Sequence, residues 1–185
     1  MYNRWLLAFA TMIALGAPAT AEVKKFMKVC QGKLCPYFEL ATTPPEGWVL
    51  EKEATKDNGV QMFVPKGTNF HSAEALIYIK VLPQQGEANS IEEFVKVSQD
   101  RWRNSVPDTR ITKMPEVARK NAKAAFQPYQ YENPSQAQQA FEYVAFGEDT
   151  DPEGNKYFAM VVITGRNRAS IEKAGAPYRA FLGAH

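Results

Sequence analysis

The segment Tyr157-Phe158-Ala159-Met160-Val161-Val162-Ile163 carries apolar side chains on both of its faces, and this pattern predicts a strand in the middle of a sheet. A second apolar segment, 140–146, precedes it, and nine residues rich in Gly, Asp and Glu (147–155) separate the two. Two apolar segments joined by such a connection predict a β-hairpin. The second strand of this hairpin is the expected centre of the sheet.

Further strands and two helices are predicted around this hairpin. The other strand segments are 37–40, 48–50, 60–64, 74–82, 110–114 and 123–132. A helix is predicted to begin at Ser90, whose capping box is completed by Glu93. A second helical pattern covers 170–182 and is interrupted at Gly175 and Pro177. These elements predict an α+β domain in which an antiparallel β-sheet is flanked by helices.

Short motifs spread over 48–182 resemble the PsbP-like superfamily, which includes PsbP, Mog-type and DcrB-like proteins. The motifs are Gly47-Trp48, Phe63-Val64-Pro65, Leu76-Ile77-Tyr78-Ile79, Ser90-Ile91-Glu92-Glu93-Phe94 and Pro177-Tyr178-Arg179-Ala180-Phe181-Leu182. The resemblance implies an α/β/α sandwich over 44–185 and an accessory or binding role, because members of this superfamily share no active site. It transfers no catalytic residue, and it does not extend to the cysteine-containing segment before Pro44.

The first 21 residues have the three parts of a secretory signal peptide, namely Arg4, an apolar run at 5–15 and the triplet Ala19-Thr20-Ala21. The apolar run is shorter than the roughly 20 residues that a membrane-spanning helix needs, so a permanent anchor is the weaker interpretation. We expect cleavage after Ala21 and a soluble protein in the periplasm or the medium, without a transmembrane anchor. Residues 22–43 then form an N-terminal segment ahead of the domain at 44–185.

Cys30 and Cys35 are the only cysteines, and in an exported chain a disulfide between them is the expected state. A thioredoxin-type redox pair has two intervening residues, whereas this pair has four. A redox role is therefore the less favoured alternative to a structural disulfide. His71 and His185 are the only histidines, and no spacing supports a zinc site made of all four residues. His185 ends the sequence, where chains are usually loose.

The other candidate catalytic and metal-binding motifs are weak. Asp149, Asp151 and Glu153 imitate the first half of a calcium loop, but the closing acid is missing, which favours a solvated turn. His71 precedes Ser72, yet neighbouring strand residues point to opposite faces, so the pair does not predict a nucleophile with its base. We expect His71 in a surface loop. We also expect no catalytic residue, no cofactor and no stoichiometric metal.

Charge is unevenly distributed along a chain whose formal net charge is only +2. Seven basic and two acidic residues lie within 101–123, while six acidic and no basic residues lie within 132–155. These stretches are interpreted either as solvated faces, possible neighbours in the sheet, or as a surface that orients a partner. The residues assigned to the partner surface are Arg119, Lys120, Lys123, Tyr129 and Tyr131. The two tyrosines also suit a core strand.

Size and charge together limit the function. Removing 21 of 185 residues leaves 164, enough for one domain with its own core. The near-neutral total disfavours nucleic acid as a partner. We expect an exported, non-catalytic accessory or binding protein whose partner is a protein or an envelope component. The alternative is an envelope hydrolase or thiol-redox enzyme whose site carries no known motif.

Overall fold

The computed structural model describes residues 22–30, 32–86, 88–120, 122, 124–136 and 139–185, and of Cys30 only the backbone. The elements are β1 (Val23–Cys30), β2 (Lys33–Leu40), β3 (Trp48–Leu50), α1 (Lys52–Asn58), β4 (Gln61–Pro65), β5 (Ala75–Pro83), α2 (Ile91–Ser105), β6 (Arg110–Lys113), β7 (Gln127–Glu132), β8 (Phe141–Thr150), β9 (Lys156–Gly165) and α3 (Arg168–Ala184). Within these residues, seven strands form one antiparallel sheet in the order β3-β4-β5-β9-β8-β7-β6, and β1 pairs with β2 in a separate hairpin. The predicted α+β class is confirmed.

Strand β9 is the fourth of the seven strands, so the prediction that 157–163 is the central strand is confirmed. Its register places Val161 opposite Ala145 of β8 on one side and Ile79 of β5 on the other. Successive side chains point to opposite faces of a strand, so Val161 and Val162 enter different layers of the core. Both are buried, which explains why this segment lacks the polar alternation of a half-exposed strand.

One helix covers each face of the sheet. On the first face, the Phe94 ring of α2 stacks on Phe158 at 4.5 Å between centroids and meets Phe146 edge-on at 5.8 Å. On the opposite face, the buried Tyr178 of α3 donates its hydroxyl hydrogen to the Val161 carbonyl at 2.8 Å. The molecule therefore has three layers, with the sheet between α2 and α3.

The two predicted helices begin at capped residues. The Ser90 side chain accepts the Glu93 N–H at 3.2 Å, and the Glu93 carboxylate accepts the Asn89 N–H at 2.7 Å, one residue earlier than in a standard capping box. Helix α3 begins after Asn167, whose side chain accepts the Ser170 N–H at 2.9 Å. No helix of the described part of the chain is long and apolar enough to cross a membrane.

The predicted interruption of the last helix at Gly175 and Pro177 is wrong, because α3 continues through both. An internal proline costs a helix about 3 kcal/mol. Burial of large side chains offsets this cost, since Tyr178, Phe181 and Leu182 are all buried in the core beneath the helix. Tertiary packing thus outweighs the local propensity.

The connection between β8 and β9 is shorter than the sequence predicts. Strand β8 extends to Thr150, which places Asp149 in the strand instead of the turn. In the turn, Asp151 accepts the N–H groups of Glu153 at 3.1 Å and Asn155 at 2.8 Å. Within the apparent calcium loop, Asp151 therefore stabilises the turn, whereas Asp149 pairs with Arg119.

The base of the hairpin of β1 and β2 packs against the sheet. Val23 and Leu40 pair with each other there and are buried in the core shared with α3. The Gln61 side-chain amide accepts the Leu40 N–H at 2.9 Å and donates to the Leu40 carbonyl at 3.0 Å. Phe38 meets Tyr157 at 5.1 Å between ring centroids. The base is therefore fixed by packing and by backbone hydrogen bonds.

Candidate functional site

Arg119 is the main correction to the predicted partner surface. Its buried guanidinium donates to Asp149 Oδ1 at 2.6 Å and to the Glu148 carbonyl at 2.9 Å. It also lies over the Phe126 ring, 4.3 Å from the centroid. Gly147 permits this arrangement, since a Cβ there would lie 2.6 Å from that ring. Arg119 joins the basic stretch to the acidic one inside the protein, so it is not available as an exposed charge.

The other residues of that predicted surface differ in exposure. Lys120 is exposed, and Lys123 lies outside the described residues. Tyr131 is only 3% exposed and meets Trp102 of α2 edge-on, whereas Tyr129 is half-buried in the same cluster. The two tyrosines therefore contribute to the core, and they do not form an exposed patch with Arg119. Partner binding at Lys120 stays a prediction.

Cys30 and Cys35 belong to paired strands of the hairpin. Cys30 lies opposite Lys33, and Cys35 lies opposite Lys28, so the two cysteines are diagonal neighbours on one face. The described residues include no free cysteine. The Cys30 side chain lies outside them, and the disulfide between the two residues stays a prediction.

His71 lies in the exposed loop between β4 and β5, as expected from the sequence. Its ring meets Phe70 edge-on, and the neighbouring Ser72 hydroxyl donates to Asn69 Oδ1 at 3.1 Å. Ser72 is therefore bonded to Asn69, and the pair His71–Ser72 does not form a catalytic dyad here. In the part of the chain that the structure describes, no group of three or more His, Cys, Asp or Glu side chains could hold a metal ion.

His185 is buried, so the expectation that it is loose is wrong. Its Nε2 atom lies 2.6 Å from Thr42 Oγ1, and its ring packs edge-on against Phe181 at 4.7 Å. Burial, and secondarily the nearby Arg119 charge, lowers the pKa of His185 to about 4. The side chain is thus neutral near pH 7 and fixes the end of α3 to the loop after β2.

A groove of about 700 Å³ lies on the α2 face of the sheet, along parts of β4, β5 and β9. Its floor consists of Met62, Leu76, Tyr78, Lys80, Met160 and Thr164. Its rim contains Asn58 of α1, the loop residues Phe70, His71 and Glu74, and also Gln136, Gln139 and Arg166. This volume is within the range of ligand-binding pockets.

The groove follows strand β5. Glu74 lies at one end and Lys80 at the other, and six residues of extended chain at about 3.3 Å each separate them by roughly 20 Å. Leu76 and Tyr78 lie between them on the same face. The site is therefore elongated, with a largely apolar centre.

The charges of the groove are unbalanced. Lys80 is exposed on the floor and has no ion-pair partner among the described residues. At the opposite end, Arg166 donates one N–H to the His71 carbonyl at 2.6 Å, which leaves its other donors available. Glu74 is the only acid among the lining residues. The groove thus presents Lys80 alone at one end of an apolar floor, and Arg166 beside Glu74 at the other.

A buried acid lies beside this floor, on the same face of the sheet. Glu142 of β8 is paired in register with Thr164 of β9 and is almost fully buried. Burial raises the pKa of Glu142 to about 7, against the opposing effect of Thr164 and Asn133. Burial is also the main cause that raises the pKa of the neighbouring Tyr78 hydroxyl far above its ordinary value. Glu142 Oε1 has no hydrogen-bond partner among the described residues.

Asn133 fixes part of the rim. Its side chain is fully buried, and its Oδ1 atom accepts from Trp102 Nε1 at 3.2 Å and from the Thr109 hydroxyl at 2.8 Å. Its Nδ2 atom donates to the Gln139 carbonyl at 2.7 Å. The loop that carries Gln139 is thereby tied to α2, so this side of the groove is held by hydrogen bonds as well as packing.

Sequence analysis did not identify the groove. Its residues come from four separate segments between 58 and 166, and no local motif connects them. One signal was present, since Lys80 is the only charged residue of β5, a strand with apolar residues on both faces. A lysine at such a position is either at an exposed edge of the fold or in a functional site.

Comparison with known proteins finds no matching family model and no matching curated protein. The resemblance to the PsbP-like superfamily therefore stays a prediction.

Proposed function

We propose that the protein is an exported, non-catalytic accessory protein that binds a partner protein or an envelope component through the groove. The observation that carries this proposal is Lys80, which has no ion-pair partner in the described part of the chain and lies on an otherwise largely apolar floor. A charged group at such a place contributes most when a ligand of opposite charge pairs with it in an environment shielded from water.

The dimensions and chemistry of the groove indicate the class of ligand. A length of roughly 20 Å accommodates about six residues of extended peptide or an acyl chain of similar length. Met62, Tyr78 and Met160 offer flexible and aromatic apolar contacts. Lys80 favours an acidic group at its end of the groove, and Arg166 offers further N–H donors beside Glu74 at the other end. The proposed ligand is therefore an extended segment with an apolar body and at least one negative charge.

Binding is favoured over catalysis by the residues near His71. The imidazole is exposed and packs on Phe70, and no hydrogen bond joins it to a nucleophile or a carboxylate among the described residues. An envelope hydrolase would need such a base at the groove. Hydrolytic activity that His71→Ala abolishes would favour the enzyme and contradict the proposal.

The test is site-specific photo-crosslinking in the native envelope. A crosslinking residue replaces Leu76 on the groove floor, and the same residue at exposed Thr112 of β6 serves as the control position. We expect one discrete product from position 76 and none from position 112. The Lys80→Glu change should abolish that product, whereas Lys113→Glu, an exposed charge reversal at the far edge of the sheet, should not. Equal products from both positions, or no effect of Lys80→Glu, would overturn the proposal.

Export is tested separately by intact-mass analysis. Because the triplet Ala19-Thr20-Ala21 has the pattern of a cleavage site, the protein recovered from the periplasm or medium should begin at Glu22. Full-length protein recovered from the membrane fraction would contradict export with cleavage. Ligand binding in the groove would still be tested by the crosslinking experiment.

A further inference from the structure

We infer that the β1–β2 hairpin docks the protein on an anionic lipid surface, independently of the groove. Three features of the hairpin support this inference. Beyond its base it exposes apolar side chains, and its lysines have no acidic residue between them along the chain. Its base is fixed to the core.

The first observation is the exposure of apolar side chains. Four of the seven large apolar residues that are most exposed within the described residues belong to the hairpin. They are Phe26 at 46%, Met27 at 56%, Leu34 at 70% and Val29 at 72%. Val29 and Leu34 are cross-strand partners, and Met27 lies opposite Pro36 on the same face. The apolar face that is buried at Val23 and Leu40 thus continues into solvent.

The second observation is the charge. Residues 23–40 contain four lysines and one acidic residue, Glu39, which lies opposite Lys24 at the base. Lys24, Lys25 and Lys33 are exposed, and Lys28 lies over the Tyr37 ring, 5.0 Å from its centroid. Because the whole chain is nearly neutral, this hairpin is a local concentration of positive charge. Each lysine near an anionic bilayer adds to its attraction, and its apolar stem can extend along the interface.

The third observation is geometric. Interfacial segments enter a bilayer by about 5–10 Å, to the boundary between headgroups and acyl chains. Three residue steps from Met27 to the end of β1 cover about 10 Å, so the exposed apolar pairs match this depth. The base is held by the Gln61 amide and by Phe38 on Tyr157. The hairpin is therefore presented by a fixed support, which lowers the entropic cost of docking.

Charge also distinguishes this occupant from a second copy of the chain. Two hairpins brought together tip to tip would place eight lysines side by side, and like charges at an interface are unfavourable. An anionic bilayer instead offers negative headgroups for the lysines and an apolar layer for Val29 and Leu34. Lipid satisfies both features of the hairpin at once.

The test is co-flotation of the exported protein with vesicles. We expect binding to vesicles of phosphatidylglycerol mixed with phosphatidylcholine, little binding to phosphatidylcholine alone, and weakening as salt is added. Lys24→Gln with Lys33→Gln should weaken binding by about thirtyfold, since each lysine contributes roughly fivefold. Val29→Ser with Leu34→Ser should weaken it by about tenfold or more.

Matched controls use the same changes elsewhere. Lys66→Gln with Lys113→Gln removes two exposed lysines outside the hairpin, and Val49→Ser with Leu50→Ser removes two exposed apolar residues of β3. Both controls should bind like the unchanged protein, and equal melting temperatures exclude misfolding of the hairpin variants.

Three results would overturn the inference. The first is absent binding to the anionic vesicles, and the second is an equal loss in hairpin and control variants. The third is a dimer in analytical ultracentrifugation that Val29→Ser with Leu34→Ser dissociates, which would assign the hairpin to a second copy. A crosslink from the hairpin to an acidic envelope protein, without vesicle binding, would assign it to a protein partner.

Discussion

The Arg119 guanidinium and the Asp149 carboxylate form a buried ion pair whose role is structural. Burial raises the pKa of the Asp149 carboxyl, and the guanidinium 2.6 Å away opposes that shift. The guanidinium also donates to the Glu148 carbonyl and lies over the Phe126 ring. Loss of either charged partner would leave the other charge buried and uncompensated.

We therefore expect Arg119→Ala to lower the free energy of unfolding by about 3–5 kcal/mol. Lys120→Ala changes the next residue, which is exposed, and should alter stability by no more than about 0.5 kcal/mol. Replacing both partners by leucine should recover part of the loss, because no unpaired charge then remains. Urea denaturation of these proteins measures the differences. Equal stability of the Arg119 and Lys120 variants would contradict the structural role.

The sequence predicted the charge of this region correctly but not its burial. Arg119 and Lys120 are adjacent cations in a loop segment without periodicity, so nothing local distinguishes the buried one from the exposed one. The partner, Asp149, is 30 residues away, and it was assigned to a turn. The groove was missed for the same reason, since the pairing of β5 with β9 is what places Lys80 and Arg166 along one groove.

Among the secondary-structure elements, hydrophobic periodicity and capping residues predicted those that have a clear local signal. The apolar segment of β9 and the capped α2 were both identified. Helix α1 was not, because its seven residues include one buried apolar side chain, Ala54, and so carry no helical stripe. Strand β1 was missed because its lysines and exposed apolar residues lack the pattern of a core strand.

The hairpin also carries the predicted disulfide. Cys30 and Cys35 are diagonal neighbours across paired strands, with their side chains on one face of the hairpin. Alkylation without reductant should leave both unlabelled. Cys30→Ser with Cys35→Ser should lower the free energy of unfolding by about 2 kcal/mol, the entropy expected for so short a loop. Reductant should destabilise the unchanged protein similarly and leave the serine variant unaffected. Ready labelling of the native protein would contradict the disulfide.

Two buried titratable groups, one on each side of the sheet, make the stability of the whole fold depend on pH. Glu142 lies on the α2 face of the sheet, and its pKa is raised from 4.5 to about 7. His185 lies at the end of α3 against the opposite layer, and its pKa is lowered from 6.5 to about 4. Burial is the main cause of both shifts, and it favours the neutral form of each group.

The two groups should make opposite contributions to the pH dependence of stability. Between about pH 4.5 and 7, the folded protein keeps the Glu142 proton that the unfolded chain releases, so this contribution is lost as pH rises. Between about pH 6.5 and 4, the unfolded chain takes up a proton on His185 that the fold excludes, so this contribution is lost as pH falls. Each amounts to about 3 kcal/mol at most, and in their common range they largely cancel.

Single variants should therefore reveal the contribution that the other group masks. Relative to the unchanged protein, Glu142→Gln should lose stability as pH falls from about 6.5 to 4.5, because only the His185 contribution remains. His185→Gln should gain stability over the same range, because only the Glu142 contribution remains. Denaturant unfolding at several pH values measures how the stability of each variant changes with pH. The exposed carboxylates are common to all three proteins, so their contribution cancels when the variants are compared with the unchanged protein. Variants whose pH dependence parallels that of the unchanged protein would show that neither buried group titrates differently on folding.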